Sequence, residues 1–171
     1  DGQMLGYIGH YAATDSEDAA ALLEEAKKLL RNQGRALAIG PIDGNTWRRY
    51  RLVTDIGTEP TFFLEPTNPP EWPDHFRQAG FSPLAEYYSA LNRDLSYSDP
   101  RMVRAEKRLK DTGIEIRSFR PNAFLDELKK IYEVSAVSFT ANFLYTPLDE
   151  KSFLAQYQII QPLIDPRFVF I

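Results

Sequence analysis

Apolar residues recur at helical spacing after Asp15 and Ser16, either of which can cap a helix. Charged residues occupy the opposite face, and Gly34 is a natural stop because glycine readily adopts the left-handed conformation that follows a last helical turn. The sequence therefore predicts a helix that begins near residue 16 and ends at Gly34. The apolar positions of this helix are Ala19, Leu22, Leu23, Ala26, Leu29 and Leu30.

Four further segments carry helix signals, namely a capping residue or first-turn proline at the start and a glycine or proline at the end. The longest is capped by Asn122 and places Phe124, Leu128 and Ile131 on one side. The other three are Glu71–Ala79 closed by Gly80, a helix that begins at Asp99-Pro100 and stops near Gly113, and one that begins around Thr146-Pro147 and Asp149 and breaks at Pro162.

Short apolar or alternating runs lie between these helices and predict strands. Residues 41–73 are rich in turn formers and predict a long loop, with at most one short strand at 51–54 or 61–64. Helices and strands alternate, so we expect an α/β (α+β) fold with a mixed sheet flanked by helices. The predicted strands are Met4–Tyr11, Ala36–Ile39, Ser82–Leu91, Ile114–Phe119 and Phe168–Ile171.

The 171 residues include no cysteine, which excludes disulfides, thiolate metal sites and cysteine nucleophiles. The net charge of −4 is spread along the chain, so nothing resembles a nucleic-acid footprint. No apolar run approaches the roughly 20 residues that span a bilayer, and no signal peptide is visible, so we expect a cytoplasmic protein without membrane contact. The chain starts without methionine and ends in an apolar strand. We therefore expect a piece of a longer protein, either a monomer or a homodimer formed through exposed strand edges.

The loop Asp43-Gly44-Asn45-Thr46-Trp47 permits two interpretations. Its residues are common turn formers, so it can be a tight turn with Trp47 packed as a lid. It can also line a pocket for a small-molecule ligand, in which Asn45 supplies directional hydrogen bonds, Trp47 stacks, and Arg51 grips an anion.

His10 and His75 are the only histidines, and neither has a metal-ligand partner at a short spacing. We interpret both as surface or helix-capping residues, and we predict no metal site. The sequence also lacks a Ser-His-Asp order and a glycine-rich phosphate loop with lysine. The catalytic residues, if any, are not indicated.

Most of the chain resembles the GNAT acyltransferase superfamily. The segment Phe76-Arg77-Gln78-Ala79-Gly80-Phe81 has the spacing at which that family carries a tyrosine four residues before Gly-Phe, and Asn68 lies upstream as an asparagine does there. Gly40-Pro41, Asn45-Thr46-Trp47 and Asn68-Pro69-Pro70 are similar to larger bacterial GNAT-like proteins of unassigned substrate.

The resemblance implies an unusual domain order. Residues 1–92 match the C-terminal half of one GNAT-like domain, 93–113 form a connecting helix, and 114–171 match the N-terminal half of a second domain. It further implies an N-acyltransferase that uses acetyl-CoA or another acyl-CoA in the intact protein. It places Tyr145 near the acceptor site.

The sequence departs from this family at two places. The stretch where the family binds pyrophosphate on a glycine-rich turn is here Gly9–Asp18, which lacks the glycine pair and carries Asp15, Glu17 and Asp18. The family's proton-donating tyrosine is replaced by Phe76. We therefore expect no tight acyl-CoA binding to this chain. Two hypotheses remain open: an acyltransferase fragment, not active alone, whose acceptor is unknown, or a catalytically degenerate binding or assembly module.

Overall fold

A computed structural model describes residues 4–171. Within that range the chain forms five α-helices, two short strands and two 3-10 turns, and it divides into two compact units. Unit 1 runs to Glu86 and includes Asn142–Thr146, and unit 2 comprises Tyr87–Ala141 and Pro147–Ile171. The elements are β1 (Leu5–Tyr7), α1 (Ser16–Asn32), β2 (Leu37–Ile39), α2 (Trp72–Gln78), α3 (Pro100–Asp111), α4 (Phe124–Ser138) and α5 (Glu150–Gln158), with 3-10 turns at Pro121–Ala123 and Gln161–Leu163.

Helix α1 forms where its caps and its apolar spacing predict. The Asp15 carboxylate accepts hydrogen bonds from the backbone N–H groups of Glu17 and Asp18, which satisfies two of the donors left open by a helix start. Gly34 follows the helix with a φ of +71°, the left-handed conformation that glycine adopts without steric cost. The apolar stripe buries Ala19 and Leu23 completely.

The core of unit 1 lies between α1, α2 and a parallel strand pair. β1 and β2 pair in the register Leu5 with Leu37 and Tyr7 with Ile39, and α1 is the crossover that a parallel connection requires. The buried cluster also takes residues from the loop after β1 and from α2, so this loop is anchored to the core. Its buried members are Ile8, Tyr11, Ala19, Leu23, Trp72, Phe76 and Ala79.

Unit 2 contains α4 and α5, whose buried residues include Phe124, Leu128 and Phe153. The predicted Asn122 cap of α4 is wrong, because Asn122 lies within the 3-10 turn and α4 begins without a side-chain cap. The predicted strands at 114–119 and 168–171 meet here in a narrow antiparallel contact. The Ile171 N–H donates to the Arg117 carbonyl at 2.9 Å, and the reverse bond is 3.0 Å long. Only the Ser118–Phe170 bridge has the geometry of a sheet pair, so the alternating pattern produces a bridge rather than two full strands.

The predicted strand at Ser82–Leu91 is wrong. These residues form no strand pairing, and Tyr88 is 88% exposed. The alternative short strands at 51–54 and 61–64 are also absent from the structure. A strand needs a neighbour for its backbone hydrogen bonds, and a run of apolar residues alone does not supply one. A mixed α/β composition is nonetheless observed, with helices dominating. Among residues 4–171, no helix combines the length and the apolar character needed to cross a bilayer.

Candidate functional site

The loops that follow β1 and β2 run against each other at the carboxyl ends of the parallel strands. The Ile8 N–H donates to the Ile39 carbonyl at 2.9 Å, and the Ile42 N–H donates back to Ile8 at 2.8 Å. The approach is close enough that a Cβ on Gly9 would lie 2.5 Å from the Ile42 carbonyl oxygen. In open α/β sheets this edge is where ligands bind.

Three charged or titratable side chains meet on these two loops. The His10 backbone N–H donates to Asp43 Oδ1 at 2.6 Å, and His10 Nδ1 lies 3.7 Å from Asp43 Oδ2. Arg49 Nε lies 3.4 Å from the same Oδ2. The Asp43 side chain is only 10% exposed, whereas the His10 imidazole is 79% exposed. A largely enclosed carboxylate therefore lies next to one exposed imidazole and one guanidinium at the edge of the strand pair. We call this group the His10 cluster.

Three of the four predicted ligand residues come together in unit 1. Asn45 Oδ1 accepts the Trp47 backbone N–H at 3.0 Å, which is the turn that the sequence indicated. The Trp47 indole donates to the Thr146 carbonyl at 2.9 Å, and its ring lies edge-on to Tyr145 with centroids 6.1 Å apart. Trp47 therefore packs against the segment that contains Tyr145. This packing is compatible with the first interpretation of the loop, a tight turn with Trp47 as a lid.

Arg51 is engaged elsewhere. Its Nη2 lies 3.4 Å from Glu65 Oε1, and its guanidinium covers the Tyr50 ring at 4.7 Å. The nearby Asn68 side chain accepts from the Val53 N–H at 2.7 Å and donates to the Val53 carbonyl at 3.2 Å, so it braces the long loop. Ligand roles for Asn45, Trp47, Arg51 and Tyr145 stay predictions.

His75 is not a surface residue, contrary to the sequence interpretation, since it is only 4% exposed. Its Nδ1 is 2.8 Å from the Tyr11 hydroxyl, which is itself buried between aromatic rings of α2. Burial raises the pKa of Tyr11 above its ordinary value of 10.0. The capping prediction fails for this histidine because a hydroxyl 64 residues away in the chain supplies its polar partner.

The start of α1 is occupied by its own carboxylates. Asp15 Oδ1 accepts the N–H groups of Glu17 at 3.0 Å and Asp18 at 2.9 Å. These are the donors that would face an anion at a helix N-terminus, and the acidic side chains of the first turn already complement the helix dipole there.

Unit 2 holds a buried carboxylate surrounded by cations. Glu127 is fully buried and accepts hydrogen bonds from Arg117 Nη2 at 2.9 Å, Arg120 Nη2 at 2.8 Å and Lys130 Nζ at 3.3 Å. The hydrogen bonds from Arg117, then those from the other two cations, hold the pKa of Glu127 far below its usual range. The arrangement is a structural ion cluster that joins α4 to the residues before it.

A groove in the same unit, about 600 Å³ in volume, is lined mainly by apolar groups such as Phe119, Phe124, Ile159 and Pro162. Of the residues that the structure describes, no group of three or more His, Asp or Glu side chains could hold a metal ion.

Sequence reasoning missed the His10 cluster, although one signal was present. His10 lies three residues beyond the observed β1 and Asp43 four residues beyond β2, and the carboxyl ends of parallel strands share one edge. The burial of Glu127 had no comparable signal, because its helical position looks like any charged surface position.

No family model, curated protein or solved structure matches this chain.

Proposed function

We propose that the chain is a GNAT-like module that acts in binding, and that its first unit does not anchor an acyl-CoA cofactor at α1. The proposal combines the sequence resemblance with the geometry of unit 1. The order β1-α1-β2-α2 is compatible with the first four elements of the half-domain that the resemblance implies, whereas the final strand, expected at Ser82–Leu91, does not form.

The main support for this proposal is the N-terminus of α1, where Asp15 accepts the free backbone N–H groups and the first turn is acidic. A pyrophosphate bound there would need backbone N–H groups that Asp15 already occupies, and it would approach the carboxylates of Glu17 and Asp18. Two like charges about 4 Å apart repel by about 1 kcal/mol in water and by several times more near a protein surface. Displacing the Asp15 cap adds a further cost of about 1 kcal/mol.

Phe76 supports the same proposal. Its ring is 5% exposed and contacts the rings of Tyr11 and Phe81, with centroids 4.8 and 5.2 Å away. It also abuts Gly40, where an added Cβ would meet Phe76 Cε1 at 3.0 Å. A phenyl ring in this place contributes packing and has no proton to donate.

The other candidate function is acyl-CoA-dependent N-acyl transfer to an unidentified small-molecule acceptor in the intact protein. The parallel β1–α1–β2 arrangement favours it, because the carboxyl edge of such strands offers a ligand site. The two functions make different predictions about α1. Acyl transfer requires that the N-terminus of α1 binds the pyrophosphate of the cofactor, and the binding role does not.

Calorimetry with acetyl-CoA separates them. We expect no micromolar binding to the wild-type chain and measurable binding once Asp15→Gly, Glu17→Gln and Asp18→Asn are combined. The matched control is Asp149→Gly with Glu150→Gln at α5, a helix capped in the same way, and it should gain no affinity. A micromolar dissociation constant for the wild type would overturn the proposal and favour the acyltransferase.

A further inference from the structure

His10 is held in a backbone conformation that an ordinary loop histidine does not need. Its φ is +52°, in the left-handed region that side chains other than glycine seldom adopt. Such conformations are strained and persist where the surrounding structure fixes them. Here the fixing contact is the 2.6 Å hydrogen bond from the His10 N–H to the buried Asp43 carboxylate.

This conformation presents the imidazole to solvent with a defined orientation. Nδ1 faces Asp43 Oδ2 at 3.7 Å, and the side chain is 79% exposed. A carboxylate beside Nδ1 favours the tautomer with its proton on Nδ1, which makes Nε2 the proton acceptor. The carboxylate also balances the charge that the ring acquires when Nε2 takes a proton.

Arg49 completes the site. It meets Asp43 through Nε at 3.4 Å, and its side chain is 42% exposed. Guanidinium Nη groups bind carboxylate and phosphate oxygens with charge-assisted hydrogen bonds. An anionic group on Arg49 would lie beside His10, because both side chains contact the same Asp43 oxygen.

We propose that His10, Asp43 and Arg49 form a proton-transfer site for a small molecule that carries a carboxylate or phosphate group. Arg49 binds the anion and His10 Nε2 takes a proton from an adjacent O–H or N–H of the ligand. That bond breaks, the Nε2–H bond forms, and Asp43 stabilises the resulting imidazolium. The inference names a ligand class for the binding role proposed above and rests on that role.

The chain has only two histidines, so nitrogen-15 NMR of the imidazole rings observes the site directly. His10→Gln assigns the His10 signals by their loss. The buried His75 belongs to the same unit and serves as an internal control for folding. The spectra are recorded at a pH high enough for both rings to be neutral, and then with inorganic phosphate added at lower pH.

We expect the His10 proton to reside on Nδ1 in the wild type and to move largely to Nε2 in Asp43→Asn, while the His75 signals stay in place. A wild-type His10 already protonated mainly on Nε2 would overturn the proposal.

Phosphate should shift the His10 signals and leave those of His75 unchanged. Arg49→Gln should raise the apparent dissociation constant for phosphate, read from the His10 shifts, about tenfold. This is the effect of losing one charge-assisted contact. The control is Arg48→Gln, which removes the neighbouring guanidinium. Equal responses in the two variants, or no His10 response at all, would refute the ligand class. Neither outcome bears on acetyl-CoA calorimetry, so a failure of this inference is distinguishable from a failure of the proposed function.

Discussion

Tyr11→Phe isolates one hydroxyl in the core of unit 1. The residue is 3% exposed, and its hydroxyl lies 2.8 Å from Nδ1 of the equally buried His75. A hydrogen bond of this kind contributes about 1 kcal/mol net to stability. Without the hydroxyl, the buried His75 Nδ1 has no hydrogen-bond partner from Tyr11, which adds a desolvation cost of about 1–3 kcal/mol. The ring contacts with Trp72 and Phe76 remain, so little packing is lost. We therefore expect the free energy of unfolding of unit 1 to fall by about 2 kcal/mol.

Urea unfolding followed by tryptophan fluorescence measures this loss, because both tryptophans of the chain, Trp47 and Trp72, belong to unit 1. Tyr7→Phe is the matched control. It removes the same atom four residues away from a side chain that is 36% exposed, and it should change the free energy by less than about 0.5 kcal/mol.

The effect of Tyr11→Phe on the free energy of unfolding should also depend on pH. Burial raises the pKa of Tyr11 above 10.0, so the folded state holds this proton more tightly than the unfolded chain does. The resulting stability is complete below about pH 10 and is lost as the pH rises further. The difference in free energy of unfolding between the wild type and Tyr11→Phe should therefore become smaller above about pH 10. A loss below 0.5 kcal/mol, or an equal loss in Tyr7→Phe, would refute the account of the Tyr11–His75 pair.

Three further predictions address the packing that supports the sites. Leu23→Ala should cost about 3 kcal/mol in urea unfolding because Leu23 is fully buried, whereas Leu22→Ala, at a position 48% exposed, should cost less than about 1 kcal/mol. The pKa of Glu127 is lowered, chiefly by hydrogen bonds from Arg117, so its stabilisation exists above the ordinary value of 4.5 and is lost as the pH falls. The melting temperature of Glu127→Gln should accordingly depend less on acid than that of the wild type; parallel curves would contradict this. Gly9→Ala should lower the melting temperature and disturb the His10 NMR signals, since its Cβ would lie 2.5 Å from a backbone oxygen, and an unchanged spectrum would argue against the close loop contact.

The helices were predictable because their signals are local. Helices α1, α3 and α5 are each capped by the residue directly before their first residue, namely Asp15, Asp99 and Asp149. Helices α1 and α3 are followed by glycines with positive φ, Gly34 and Gly113. A cap acts on backbone groups two or three residues away, so the sequence contains both partners. The buried stripe of α1 follows in the same way from spacing, since residues three and four apart share one face.

Strands were predicted less well, because their hydrogen bonds need a partner from elsewhere in the chain. The runs at 5–7 and 37–39 pair in parallel with α1 as the connection, whereas Ser82–Leu91 carries four large apolar residues and forms no pairing. Alternation specifies which side chains share a face, and it does not specify a neighbour.

The candidate sites depend most on tertiary structure. The turn at Asn45 was readable from its residues, but the engagement of Arg51 by Glu65 was not. His10 and Asp43 are 33 residues apart, and only the parallel pairing of the strands before them brings imidazole and carboxylate together. The sequence by itself determined where the helices lie, the caps of α1, α3 and α5, and the absence of cysteine chemistry. The tertiary structure decided which polar groups were buried and paired, because burial and long-range contact are properties of the folded chain that no local pattern encodes.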